Sequence, residues 1–201
     1  MSKRNHILST AMRLFNQHGY HGVGVDLIRD VAQVSKMTLY KYFPTKAVLI
    51  EEVLTYRHQL FKSSLEQSVE SFIDPIDCFY EVFNWHIRWF MSKQFYGCMF
   101  IKAVNEFHEE QAYMAICSAH KQWVYEYIQS ILEKMTVDKA EQQARYVQVV
   151  LDGMIVNTSV FQSLQHVDTA WEQLCVGLGI VSRELKFPDK DSIVESVFEQ
   201  I

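Results

Sequence analysis

Seven glycines and three prolines among 201 residues leave few places where a helix must stop. The four cysteines, at 78, 98, 117 and 175, form no CxxC pair. This leaves no cysteine cluster for zinc and points to buried, inert thiols rather than disulfides. No apolar run reaches membrane-spanning length: "VVLDGMIV" is interrupted by Asp152 and "LCVGLGIV" is short. The start, "MSKRNHILST", is basic but lacks the apolar stretch and cleavage site of a signal peptide. A cytoplasmic chain with no membrane partner is expected. Catalytic patterns are missing as well. "HEEQA" at 108–112 lacks the second histidine of a zinc-protease helix, and no histidine has Glu three residues before it. His18 and His21 straddle Gly19 and have no acidic or cysteine partners nearby in sequence. With no Gly-rich phosphate loop and no GxSxG either, an enzyme is not expected, and no cofactor or metal is implied.

Hydrophobic residues make up 49% of the chain and aromatics 13%, enough for a sizeable core. The net charge of -5 hides an asymmetry. Residues 1–62 hold nine Lys/Arg against four Asp/Glu, and the rest holds ten against twenty. A basic head on an acidic body suits a polyanion bound at one end, with binding elsewhere discouraged.

Apolar residues recur at helical spacing almost throughout. Ile7, Leu8, Ala11, Met12, Leu14 and Phe15 predict a first helix over about residues 3–18, stopped by Gly19. "DLIRDVA" predicts a short second helix burying Leu27, Ile28, Val31 and Ala32. "KMTLYKY" predicts a third, capped by Ser35 and closed by Phe43-Pro44. Thr45 starts a fourth, reaching to about residue 70. Further helices are expected near 75–92, 97–108, 110–135, 138–163, 167–186 and 190–200. The fold class is therefore all-α: a three-helix head in residues 1–46, then a helical body in 47–201.

The third helix carries the chemistry. At 100° per residue, Leu39 and Phe43 share one side and face the core, while Met37 and Lys41 point to solvent. Lys36 and Tyr40 line one flank, Thr38 and Tyr42 the other. Ammonium and hydroxyl donors on both flanks suit a helix lying between two phosphate walls, with its outermost residues at base edges. Two short helices joined by a tight turn, the second turned outward, form a helix-turn-helix. Lys46 adds charge at the start of the fourth helix, where free N–H groups already favour phosphate.

The segment "AMRLFNQHGYHGVGVDLIRDVAQVSKMTLYKYFPTKAVLIEEVL" (11–54) resembles the DNA-binding region of the tetracycline-repressor (TetR) family, most specifically in "VSKMTLYKYFPTK". The resemblance implies a homodimeric regulator, with a repressor favoured over an activator. It would bind a palindromic DNA operator and be released by a small-molecule effector in its C-terminal bundle. By the same analogy Thr38, Tyr40, Tyr42 and Lys46 match positions that hold phosphates, and Lys36, Met37 and Lys41 match positions that read bases. Gln33 departs from the family, which commonly has Gly at this turn; a left-handed Gln33 costs on the order of 1 kcal/mol. Asp26 would repel phosphate unless it caps its own helix, and the cap is expected.

In the body, "CFYEVFNWHIRWFMSKQFYGCMFIKAVNEF" (78–107) is rich in aromatics. Such a segment is either core or the wall of a cavity for a largely apolar or aromatic guest. Trp85, His86, Trp89, Phe90, Phe100 and Asn105 are the candidate lining, with Glu106 and His108 as further polar groups. The resemblance places a dimer interface on the last two helices of the family fold, which here carry Val147, Val150, Leu151, Met154, Trp171, Leu174 and Leu178. Gly153, Gly177 and Gly179 suit close helix approach. The alternative is a helical adaptor for proteins or lipids, which explains the aromatic body but not the basic head.

Overall fold

The computed structural model describes residues 2–187, and among them the chain forms nine α-helices and no strand. They are α1 (Lys3–His18), α2 (Val25–Val31), α3 (Lys36–Tyr42), α4 (Lys46–Val69), α5 (Pro75–Met91), α6 (Met99–Glu106), α7 (Gln111–Lys134), α8 (Ala140–Phe161) and α9 (Gln165–Leu178). The expected helix at 190–200 lies outside the described residues.

The chain divides into two compact units. The first contains the described residues up to Phe61 together with Cys98–His120, and so holds α1, α2, α3, the first part of α4, α6 and the first part of α7. Ser2 caps α1 by accepting the Asn5 N–H at 3.2 Å, and Gly19, at φ 76°, ends it. Ile7, Leu8, Ala11, Leu14 and Phe15 give this unit an apolar stripe buried to 5% exposure or less. In α2 the sequence expectation was too generous. Ile28 and Ala32 are buried, but Leu27 and Val31 are exposed. A seven-residue helix has one inward stripe, and the i, i+4 pair at 28 and 32 occupies it.

The second unit contains Lys62–Gly97 and the described residues from Lys121 onward. Asp74 caps α5, accepting the Ile76 N–H at 2.9 Å, with Pro75 at the first helical position. Every residue from Glu81 to Ile87 is buried, so α5 is enclosed on all sides. Several of its polar members are paired: Arg88 with Glu81 and Ser68, and Trp85 Nε1, which donates to Ser64 Oγ at 3.0 Å.

Helix α9 stops at Leu178, eight residues before the expected end at 186. Gly179 is left-handed (φ 67°), its N–H reaches Val176 O and the Ile180 N–H reaches Cys175 O. This is the two-bond Schellman ending that glycine favours. Gly179 is therefore a stop signal, not a site of close helix approach. Residues 180–187 continue as a non-helical segment pinned by Trp171 Nε1 to Arg183 O (2.8 Å), by Asn84 Oδ1 to the Lys186 N–H (2.9 Å) and by the Arg183–Asp77 ion pair.

The residues expected at a dimer interface mostly face inward within the chain. Val147, Leu151 and Met154 of α8 and Trp171, Leu174 and Leu178 of α9 are buried; Val150 is half-buried. Trp171 sits among Phe79, Tyr80 and Phe83, with its ring centroid 4.7 Å from that of Phe83. The outward face of α8 is instead built from Tyr146, Val149, Gly153, Val156 and Val160, of which Val149 is 68% exposed. A Cβ added at Gly153 would meet nothing within 4 Å. Both stripes are legible in the sequence, but periodicity alone does not say which one the chain buries for itself.

Among the described residues all four cysteines are free thiols, and no helix is long and apolar enough to cross a membrane.

Candidate nucleic-acid interface

Helix α3 begins at a side-chain cap. Ser35 Oγ accepts the Thr38 N–H at 3.1 Å and lies 2.9 Å from Thr38 Oγ1. Behind the cap, Gln33 is left-handed (φ 51°), as the turn between α2 and α3 demands of a residue in the place of glycine. Its N–H reaches Asp30 O and the Val34 N–H reaches Arg29 O, both at 3.1 Å, so α2 ends in the same two-bond motif as α9. Asp26 does not cap its helix: Gly24 holds the cap position, and Asp26 sits in the first turn, accepting from Arg29 at 2.6 Å. There its charge still meets the positive end of the helix dipole and is offset by Arg29.

The expected orientation of α3 holds. Leu39 and Phe43 are buried at 2% and 0%, Met37 is 82% exposed, and Lys41 is exposed. Lys36 Nζ lies 6.0 Å from the Tyr40 ring and Lys41 Nζ 6.0 Å from the Tyr42 ring, so each flank carries a cation beside a phenol. Thr38 and Tyr42 are half-buried, with one edge toward solvent. The face presents charged and hydroxyl donors but no carboxylate, which suits phosphates at its sides and base edges at its crest.

Lys46 is placed differently from its expected role. Thr45 caps α4 by accepting the Val48 N–H at 3.1 Å, but the Lys46 ammonium turns inward to donate to Tyr20 O at 2.7 Å. Burial lowers its pKa, partly offset by Glu106. Lys46 thus braces the α1–α2 connection.

That connection is held from α6 as well. Glu106 accepts the backbone N–H groups of Tyr20 (3.0 Å) and His21 (2.6 Å) and lies 2.9 Å from His21 Nδ1. Burial raises the Glu106 pKa, but these donors outweigh it and hold the carboxyl below its ordinary range. Glu106 was expected among the groups orienting a guest; here its oxygens are committed to the head.

The candidate effector residues fall in both units. Trp85, His86, Trp89 and Phe90 of α5 form a buried aromatic run with Phe95, the Trp89 and Phe95 ring centroids 5.2 Å apart. His86 Nδ1 lies 2.7 Å from Val82 O, and burial pushes its pKa down to about 4, so its ring is neutral near pH 7. Phe100 stacks on His120 with ring centroids 3.7 Å apart, whereas Asn105 and His108 are exposed.

Residues 7–53 match the family model for bacterial regulatory proteins of the tetR family. Over 75 residues the chain is 36% identical to the uncharacterized HTH-type transcriptional regulator YxaF of Bacillus subtilis, covering 37% of this chain and 39% of that one. It is 37% identical over 71 residues to the HTH-type transcriptional regulator RutR of Escherichia coli, covering 35% and 34%. The matched region thus spans well under half the length of these curated relatives. Likeness of fold reaches further. A TetR-family transcriptional regulator from Streptomyces coelicolor superposes with a TM-score of 0.77 at 25% identity, covering 89% of this chain and 87% of that one. E. coli NemR in its reduced form does so at 0.75 and 19%, covering 86% and 95%. The head thus carries the sequence of the tetR family of bacterial regulatory proteins over residues 7–53, and the helical fold is shared with TetR-family regulators along most of the chain.

Proposed function

We propose that the chain is a cytoplasmic, homodimeric, sequence-specific DNA-binding transcription regulator, a repressor released from a palindromic operator by a small, largely apolar or aromatic effector. In this reading residues 1–46 recognise DNA, and residues 47–201 bind the effector and the second copy. The observation that carries it is α3. In a chain of net charge -5, a capped two-turn helix anchored by Leu39 and Phe43 turns Lys36, Met37 and Lys41 outward between hydroxyl-bearing flanks. It does so within the stretch that matches the family. An enzymatic role has no residue pattern to support it, and the relatives are named as regulators.

The exposed stripe on α8 supports the dimer. Tyr146, Val149, Gly153, Val156 and Val160 follow a 3-4-3-4 spacing, the seam of helices that pair with other helices. A two-fold assembly presents two α3 helices to half-sites one helical turn apart. The buried α5 aromatics support an apolar or aromatic effector, which would act by favouring a dimer state whose heads no longer match adjacent major grooves.

The test is selection of genomic fragments on the purified protein, followed by fluorescence anisotropy on the recovered DNA across a salt series. Enrichment of a palindrome, with affinity lost in Tyr42→Ala, supports the reading. An absence of enrichment, or binding indifferent to salt and to Tyr42→Ala, overturns it in favour of a protein- or lipid-binding adaptor.

A further inference from the structure

Helix α6 is fastened to the head at three points along its two turns. The Tyr20 hydroxyl donates to Met99 O at 3.1 Å, Lys102 Nζ donates to Asn16 O at 2.6 Å, and Glu106 accepts the Tyr20 and His21 N–H groups. Positions 99, 102 and 106 fall on one side of a helix by their 3-4 spacing. Their partners are the last turn of α1 and the loop that leads into α2. Tyr20 is fully buried, and its carbonyl receives Lys46 from the start of α4. The chain on both sides of the helix-turn-helix is therefore tied to one short segment, residues 19–21, and Glu106 ties that segment to α6. Phe107 closes the joint by stacking on the His21 ring, centroids 4.5 Å apart.

Glycine is needed at the centre of this joint. Gly19 has φ 76°, and a Cβ there would lie 2.9 Å from Glu106 Oε1. The loop is shaped to bring two consecutive N–H groups onto one carboxylate, each oxygen taking one, with the His21 ring adding a third donor. An ionised carboxylate offers acceptors for both; an amide in its place has a single oxygen.

Resting on the DNA-binding reading above, we propose that Glu106 is a positioning residue for operator recognition, fixing the α1–α2 loop so that α2 and α3 stand ready for the major groove. It touches no DNA in this role. Its contribution is pre-organisation: apparent affinity scales with the fraction of heads in the competent arrangement.

Glu106→Gln tests this through the sign of its effect. Removing a negative charge from a DNA-binding head tightens binding on electrostatic grounds alone. Positioning requires the reverse, a loss of about tenfold in operator affinity. The dependence of log K on log salt is expected to keep its wild-type slope, since no phosphate contact is removed. Amide hydrogen exchange read without DNA is expected to show loss of protection at Tyr20 and His21. Glu106→Asp keeps the charge but is one methylene shorter, and is expected to bind between the two. If the Gln variant is unfolded by circular dichroism, the Asp variant carries the test: weakened binding by a folded protein supports the proposal, and wild-type affinity overturns it. A folded Glu106→Gln that binds as tightly as wild type, or more tightly, overturns the positioning role and leaves the DNA-binding reading intact. A wild-type protein that binds no operator overturns both, whereas Tyr20 and His21 protection would still report the joint.

Discussion

The Lys46 ammonium donates to the Tyr20 carbonyl oxygen at 2.7 Å, linking the first residue of α4 to the loop before α2. A lysine with its charge committed in this way contributes less to phosphate binding than one held in solvent. Lys36 lies on a flank of α3 with its charge exposed, so Lys36→Ala is expected to reduce the slope of log K against log salt by about 0.9, the value for one phosphate neutralised, whereas Lys46→Ala is expected to reduce it by clearly less. The Lys46 variant instead loses about 1 kcal/mol of stability with its hydrogen bond. Anisotropy at four or more salt concentrations, with urea denaturation of both variants, separates the two effects.

Gln33 holds a left-handed conformation that suits glycine. Gln33→Gly is expected to raise stability by about 1 kcal/mol, by removing the Cβ clash that L-residues suffer there. Gln33→Val is expected to lower it by more, because a branched Cβ worsens the same clash. Chemical denaturation midpoints check both directions.

Ser35 supplies the single side-chain cap of α3. Ser35→Ala is expected to cost about 1 kcal/mol, the usual loss for a cap of this kind, and Ser35→Asp much less. Calorimetric or urea unfolding decides this independently of DNA.

His86 links stability to pH. Its pKa in the folded chain is about 4, mainly through burial, against 6.5 for the free side chain. The unfolded chain therefore binds the proton first, and stability from neutral His86 is complete above about pH 6.5 and is lost as pH falls toward 4. The slope approaches about 1.4 kcal/mol per pH unit inside that window. Carboxylates titrate in the same range, so the measurement is the difference between wild type and His86→Leu. The variant is expected to show a shallower fall in stability from pH 6.5 to 4.5.

The two apolar stripes of α8 call for different outcomes. Leu151 is buried in its own chain, so Leu151→Ala is expected to cost about 2–5 kcal/mol of stability. Val149 and Val156 are exposed, so Val149→Glu with Val156→Glu is expected to leave a folded chain that sediments as a monomer and binds operator weakly. A double variant that stays dimeric places the interface elsewhere.

The helices and the orientation of α3 were written in local sequence. Periodicity, the Ser35 and Thr45 caps and the Gly19 stop are short-range signals, and the structure follows them to within a few residues. The glycine at 179 misled at the end of α9. A helix-terminating glycine is recognised by its conformation and by the two hydrogen bonds it licenses, neither of which composition reveals.

Three matters needed tertiary structure, all for one reason: each joins residues far apart in the chain. Burial of Val147 and Leu151 over Val149 and Val156 depends on what packs against α8, because both stripes satisfy the same period. The inward turn of Lys46 depends on a carbonyl 26 residues earlier, and the task of Glu106 on two N–H groups 85 and 86 residues away. By itself the sequence determined an all-helical chain with a basic helix-turn-helix that turns Met37 and Lys41 outward, since helix period, capping and charge are local. The tertiary structure decided that Lys46 turns inward while Lys36 stays exposed, which apolar stripe of α8 remains uncovered, and which carboxylate holds the α1–α2 loop, since a hydrogen bond or a buried contact exists only once distant segments have met.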